Sequence, residues 1–208
     1  MGPVRGFTWN ASLYLYEAVV MGRHRWWWRM HRLLRREYGR LDPDAWVRRL
    51  RGRNPGSLAY GETPAVCVRR VLQILPLPPG SRFVDLGSGR GIPCLTAAAL
   101  GYPSSGLEYF AEHVERSTRV AAALNVPATF TRGDLAEVPW PDGEVYFLAA
   151  TAFPEGFRRR LEERLLALPE GTWVVTHDWL LGEGFERRSS VVLPVTWGTA
   201  HYCLHCRR

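Results

Sequence analysis

Lysine is missing from this chain: all 27 basic side chains are arginine. Such uniform use of one cation reads as a genomic or thermal bias in composition rather than a functional signal. Cysteine is scarce, with four residues in 208 (Cys67, Cys94, Cys203 and Cys206). Without a secretory context, that count argues against a disulfide-stapled scaffold and for reduced thiols in a cytoplasm. Cys67 and Cys94 fall within apolar helical patterns and read as core fillers. No run approaches the ~18 consecutive apolar residues of a membrane span. Nor is a secretory leader expected, because Glu17 interrupts the N-terminal apolar stretch and no cleavage site is evident.

What is present fits a folded domain. Apolar residues make up 46% and charged residues 23%, which argues against disorder. The length suits one α/β domain with a modest extension. The net charge of +7 is unevenly placed. Residues 1–53 hold 12 Arg against 4 acids, whereas the remainder holds 15 Arg against 16 acids. The excess therefore belongs to the N-terminal segment and points to an acidic partner such as nucleic acid, an acidic protein surface or anionic lipid. A merely solvated face is the alternative.

The most informative stretch is Arg82 to Gly91, RFVDLGSGRG. A buried strand (Phe83, Val84, Leu86) ends on Asp85 and turns through Gly87, Ser88, Gly89 and Gly91 into a helix at Ile92 and Pro93. Glycine is needed where backbone takes positive φ or closely approaches a ligand, and the following helix aims its N–H groups at that point. Glu108 stands 17 positions after Gly91, where a nucleotide-binding βαβ unit keeps its ribose-binding acid. The spacing is GxGxG rather than the GxGxxG of dinucleotide sites, which disfavours NAD-dependent oxidoreduction.

Around this motif the pattern alternates. Strands are expected near 82–86, 105–108, 127–131, 144–149, 171–177, 189–195 and 199–206, and helices near 64–75, 92–100, 110–124 and 154–168. Thr63 reads as the N-cap of the first of these helices. Alternation implies a doubly wound, mostly parallel sheet with helices on both faces. Only Thr196, Trp197 and Gly198 separate the last two strands, so they form an antiparallel hairpin at the sheet edge. The expected fold is thus a Rossmann-like seven-stranded α/β sheet (residues 58–208) preceded by a small basic helical extension (1–57). Within the extension, helices are expected at 12–21, 23–38 and 43–51, followed by a Gly/Pro-rich loop over 51–61.

The three-glycine loop after Val84-Asp85-Leu86 resembles motif I of class I S-adenosylmethionine-dependent methyltransferases. The resemblance implies that Asp85 and the Gly87–Gly91 backbone fix the methionine end of the cofactor, and that Glu108 accepts hydrogen bonds from both ribose hydroxyls. It also implies that Asp134, after the third strand, receives the adenine amine. A turn-forming role is the other reading of Asp134. Tyr109 and Phe110 are placed to pack on the adenine face, with helix-to-sheet packing equally open for Phe110. Tyr60-Gly61-Glu62-Thr63, Phe83–Gly89 and the late Val195–Tyr202 hairpin together resemble the histone-lysine methyltransferases that lack a SET domain, the disruptor-of-telomeric-silencing type, and their prokaryotic relatives. Carried over, Tyr60, Glu62 and Thr63 would line the methionine end of the site.

One departure stands out. Where eukaryotic members carry Asn beside the methyl group, this chain has Ala149-Ala150-Thr151, of which only Thr151 can hydrogen-bond. His177, ending the fifth strand, is placed to orient or deprotonate an acceptor, although a plain strand-end histidine is the alternative. The C-terminal His201-Tyr202-Cys203-Leu204-His205-Cys206 contains metal-ligand residue types. On a strand these four ligands cannot converge, so no metal is expected. In Arg23–Tyr38, Trp26, Met30, Leu33 and Leu34 form an apolar stripe opposite Arg25, Arg29, Arg32 and Arg36, while Trp27 and Trp28 are available to stack on bases.

Together these features imply an enzyme, a cytoplasmic S-adenosylmethionine-dependent methyltransferase acting on a protein lysine. RNA or a small molecule as acceptor, or an inactive methyltransferase-like binding module, are the rival readings. The Arg-rich segment would recruit an acidic macromolecular substrate, protein or RNA, and no membrane.

Overall fold

Four consecutive side chains buried on both faces, Phe83–Leu86, make β1 a central strand. In the computed structural model the described residues are 3–39 and 61–208, with side chains described from Trp9 onward except at Ala152. The expected helix at 43–51, the loop from 51 and Tyr60 lie outside them. In chain order the elements are α1 (Pro3–Met21), α2 (Arg25–Tyr38), α3 (Ala65–Ile74), β1 (Phe83–Leu86), α4 (Ile92–Ala99), β2 (Ser104–Glu108), α5 (Ala111–Leu124) and β3 (Ala128–Arg132). They continue with β4 (Val145–Leu148), a 3₁₀ turn (Ala150–Ala152), α6 (Glu155–Leu166), β5 (Trp173–His177), β6 (Phe185–Val195) and β7 (Gly198–Arg207).

The seven strands form one sheet in the order β3-β2-β1-β4-β5-β7-β6. β1 to β5 run parallel, and β7 inserts antiparallel between β5 and β6. The strand order reverses between β1 and β4, so a crevice opens at their carboxyl ends, the point where ligands bind in open α/β sheets. The expected topology and closing hairpin are present. β6 is longer than expected, starting at Phe185 and irregular between Arg187 and Ser189. Its early residues are charged and partly exposed, so they lack the apolar run that marks a buried strand.

Because side chains alternate across the pleat, the sheet divides the core. Phe83, Phe147, Val175, Tyr202 and Leu204 pack with α1–α5. Val84, Leu86, Tyr146, Leu148 and Val174 pack with Leu161 and Leu165 of α6. The extension belongs to the first layer: Trp27, Met30, Leu34 and Tyr38 of α2 are all buried at i, i+3, i+7 and i+11. This corrects the expected stripe by one residue. Trp27, not Trp26, is its centre and is fully buried, so it cannot stack on a base. Trp28 is 45% exposed, and its indole donates to the Gly22 carbonyl at 2.7 Å.

A second correction concerns the start of α3. Its N-cap is Pro64, with no side-chain cap. Thr63 does not cap; the orphan N–H of Val66 instead donates to Oε1 of the buried Glu17 on α1, 3.0 Å away. The carboxylate serves the helix end that Pro64, lacking a side-chain acceptor, leaves unserved, and ties α1 to α3. Among the described residues no helix is long and apolar enough to cross a membrane.

Candidate functional site

The β1–α4 loop takes the left-handed conformation at alternate residues, with φ of 90° at Gly87, 51° at Gly89 and 77° at Gly91. Only glycine adopts this repeatedly at low cost. At Gly91 space is also limiting: a Cβ there would lie 2.6 Å from the Phe130 ring. The amides of Gly87 and Ser88 both donate to the Leu107 carbonyl, at 2.8 and 3.1 Å, which fastens the loop to the end of β2.

Glu108 completes that fastening. Its Oε2 accepts the Gly89 N–H at 2.8 Å and its Oε1 the Phe110 N–H at 2.9 Å. Burial raises its pKa, while the N–H groups of Phe110 and Gly89 oppose the rise. Each carboxylate oxygen retains a further lone pair for a ligand donor. Asp85, almost fully buried at the end of β1, has an Oδ2 without a hydrogen-bond partner. Burial, and secondarily the Glu108 charge, hold its carboxyl well above the usual range. Two acids so placed with one oxygen unsatisfied suit a ligand that brings hydroxyl donors and a positive charge. Ser88 Oγ is a second buried atom without a partner. It lies against Gly106, where a Cβ would sit 2.7 Å from it.

The remaining expected residues distribute as follows. Asp134 stands next to this cluster, since Gly133 N–H donates to the Glu108 carbonyl at 3.0 Å. Its Oδ1 accepts the Ala136 N–H at 2.8 Å, so the turn-forming role is realised. Tyr109 is 56% exposed and meets Phe110 edge-on at 5.3 Å. Glu62 and Thr63 lie beside the β6–β7 hairpin. The Glu62 N–H donates to Thr196 Oγ1 at 2.9 Å and its carbonyl accepts from Thr196 N–H at 3.3 Å, which pins the segment to the β6–β7 turn. Gly61 is required there, because a Cβ would fall 2.1 Å from the Trp197 ring. Thr63 is buried beside the Tyr202 hydroxyl.

The two candidate catalytic residues are less promising. Thr151 lies in the 3₁₀ turn, its carbonyl accepting from Arg158 Nη2 at 3.0 Å. His177 is fully buried among Tyr202 (4.1 Å between ring centroids), Phe147 (5.1 Å) and Trp197 (6.2 Å). Burial pushes its pKa down to about 4, so the ring is neutral near pH 7 and a weak base. The strand-end reading of His177 fits better than the base reading.

Sequence reasoning missed Arg90. It sits inside the glycine loop with a nearly buried side chain, and its guanidinium forks onto both Glu62 oxygens, Nε to Oε1 and Nη2 to Oε2, the latter at 2.6 Å. A large cation between two loop glycines was the available signal. Its partner becomes visible only once the fold brings residue 62 across.

No protein-family profile matches the chain. Over 137 residues it is 27% identical to a protein-L-isoaspartate O-methyltransferase of Methylorubrum extorquens (strain PA1), covering 62% of this chain and 60% of that protein. The crystal structure of an RNA methyltransferase from Salinibacter ruber in complex with S-adenosyl-L-homocysteine superposes with a TM-score of 0.59 at 26% identity, over 71% of this chain and 94% of that one. TrmN from Thermus thermophilus gives 0.61 at 20% identity, over 76% and 53%. The chain thus spans little more than half the length of two of these proteins. From the sheet order, the glycine loop and these likenesses together, the chain has the fold of class I S-adenosylmethionine-dependent methyltransferases.

Proposed function

We propose that this protein is an S-adenosylmethionine-dependent methyltransferase whose acceptor is a protein lysine. The observation that carries the cofactor assignment is Glu108 seated between the Gly89 and Phe110 amides, near Asp85 with its unsatisfied carboxylate oxygen. In this reading the outer lone pairs of Glu108 take the two ribose hydroxyls and Asp85 faces the cationic methionine end. Asp134 Oδ2 takes the adenine amine, and Tyr109 covers the base. When bound, the cofactor supplies a methyl carbon already activated by its sulfonium, so the protein's share of the catalysis is mainly positioning.

The lysine reading rests on the resemblance of the Tyr60–Thr63 motif to the non-SET lysine methyltransferases, whose loop folds over the methionine end of the cofactor; here Gly61–Thr63 lies against the hairpin turn. It is also supported by the aromatic surroundings of that segment, Trp197 and Tyr202. Apolar walls lower the pKa of an entering ammonium by desolvation, which supplies a neutral amine without a dedicated base. A neutral His177 and the hydrogen-bond-poor Ala149-Ala150 are compatible with that route. The arginines of α2 (25, 29, 32, 35 and 36) are exposed and in this proposal recruit an acidic macromolecule. Cytoplasmic placement, resting on the unpaired thiols, is part of the same proposal.

RNA is the second reading. It is favoured by this Arg row and by the likeness to an RNA methyltransferase of known structure, with phosphates as the counter-charge. The deciding experiment is transfer of radiolabelled methyl groups from S-adenosylmethionine into extract of the source organism, with wild type beside Glu108→Ala. Label that survives nuclease, is lost to protease and is missing with the variant supports a protein acceptor, as the lysine reading requires. Nuclease-sensitive label moves the acceptor to RNA. No macromolecular label contradicts both.

A further inference from the structure

Arg90 joins three parts of the chain that the sequence places far apart. Its backbone lies between left-handed Gly89 and Gly91, so the loop fixes the direction of its side chain, which is only 8% exposed. The planar fork pairs with both oxygens of Glu62, and Glu62 is itself tied to the β6–β7 turn through Thr196. The guanidinium also stands 5.2 Å from the centre of the Tyr38 ring at the end of α2, and Arg116 of α5 lies at the same distance from that ring. Tyr38 is held in turn by Ser117 at 3.2 Å. Arginine cannot shed its charge in a protein, so its burial is tolerable only while such partners are in place. Withdrawal of Glu62 or α2 removes part of that compensation, and the buried charge then bears on the Gly89–Gly91 backbone that carries it. Gly89 is the residue whose amide seats Glu108.

We propose that Arg90 is a positioning residue that makes α2 part of the cofactor site: through it, docking of Tyr38 and Glu62 sets the pose of the glycine loop and hence the affinity for the cofactor. The inference rests on the methyltransferase reading for its functional consequence, but not for the clasp itself. It recasts the basic extension as a component of the site that a partner binding on α2 can tighten or loosen, rather than a separate recruiting arm.

Two readouts on the full chain test it. The first is amide hydrogen exchange at Gly89 and Gly91 without cofactor. The second is calorimetric titration with S-adenosylhomocysteine, alongside kcat and KM. In Arg90→Met, exchange at the loop should rise and the Kd should weaken by roughly tenfold each, the size of one charge-assisted hydrogen bond. Changes in kcat should stay within about twofold, as expected when ground state and transition state lose the same interaction. Adding Glu62→Gln to Arg90→Met should cost little more, because the two act as one unit. Tyr38→Phe, which keeps the ring, should retain more affinity than Tyr38→Leu. A folded Arg90→Met with wild-type loop exchange and affinity overturns the proposal. So does exchange that rises uniformly over the sheet, which marks a general stability role. A loop-confined rise in exchange in Arg90→Met, together with a wild type that binds no cofactor, keeps the clasp and overturns the methyltransferase reading instead.

Discussion

Asp85→Asn should make the ligand-free protein more stable and a poorer cofactor binder at the same time. The wild-type carboxylate is nearly fully buried, has an oxygen without a partner and stands near a second buried acid. A buried acceptor left without a hydrogen-bond partner costs about 1–3 kcal/mol, which for a domain of this size corresponds to roughly 2–12 °C in Tm. The pH dependence has a fixed sign. Asp85 has a raised folded-state pKa, so its stabilising contribution is complete below its ordinary value of 3.8 and is lost as pH rises through the folded value. The Tm advantage of the variant should therefore be small near pH 4 and widen toward pH 7. Differential scanning calorimetry across that range, paired with titration of S-adenosylmethionine, reads both effects. A variant less stable than wild type at pH 7, or one binding the cofactor equally well, would refute the reasoning that the Asp85 carboxyl is kept at a costly buried place for a ligand.

Other substitutions probe the rest of the account. Gly61→Ala drives a Cβ into the Trp197 ring and should weaken cofactor binding severalfold, with Trp197→Ala restoring part of it; titration of the single and double variants measures the coupling. Trp27→Ala empties a fully buried indole site and should cost about 3–5 kcal/mol, whereas Trp28→Ala on the half-exposed neighbour should cost about 1 kcal/mol or less; urea melts distinguish them. His177→Phe should leave the pH–rate profile between pH 6 and 9 unmoved, because an imidazole pushed to about 4 carries no proton in that range. A displaced profile would restore His177 as the base.

The parts of the fold written in local pattern were legible. Phe83–Leu86 and Val145–Leu148 are short apolar runs between turn signals, and both are central strands. Trp197-Gly198 between two strand patterns fixed the hairpin, and the glycine loop carried its own conformation. Features set by tertiary contact were not legible. Trp26 and Trp27 differ by one step around a helix, and only the neighbouring α1 and α5 decide which is buried. Thr63-Pro64 looked like a capped helix start, but the donor is served by Glu17 from 49 positions away. His177 has the chemistry of a base, yet the Phe147, Tyr202 and Trp197 rings that surround it come from two other parts of the chain, β4 and the β6–β7 hairpin. Arg90 shows no role in the sequence, because its partners Glu62 and Tyr38 are brought onto it only by the fold.

The most direct test of the central claim is calorimetric titration of S-adenosylmethionine into the wild type and into Glu108→Ala. Saturable one-to-one binding by the wild type, reduced by about a hundredfold or more when the carboxylate and its two charge-assisted hydrogen bonds to ribose are removed, is the predicted result. No binding by the folded wild type, or equal binding by both proteins, would contradict it.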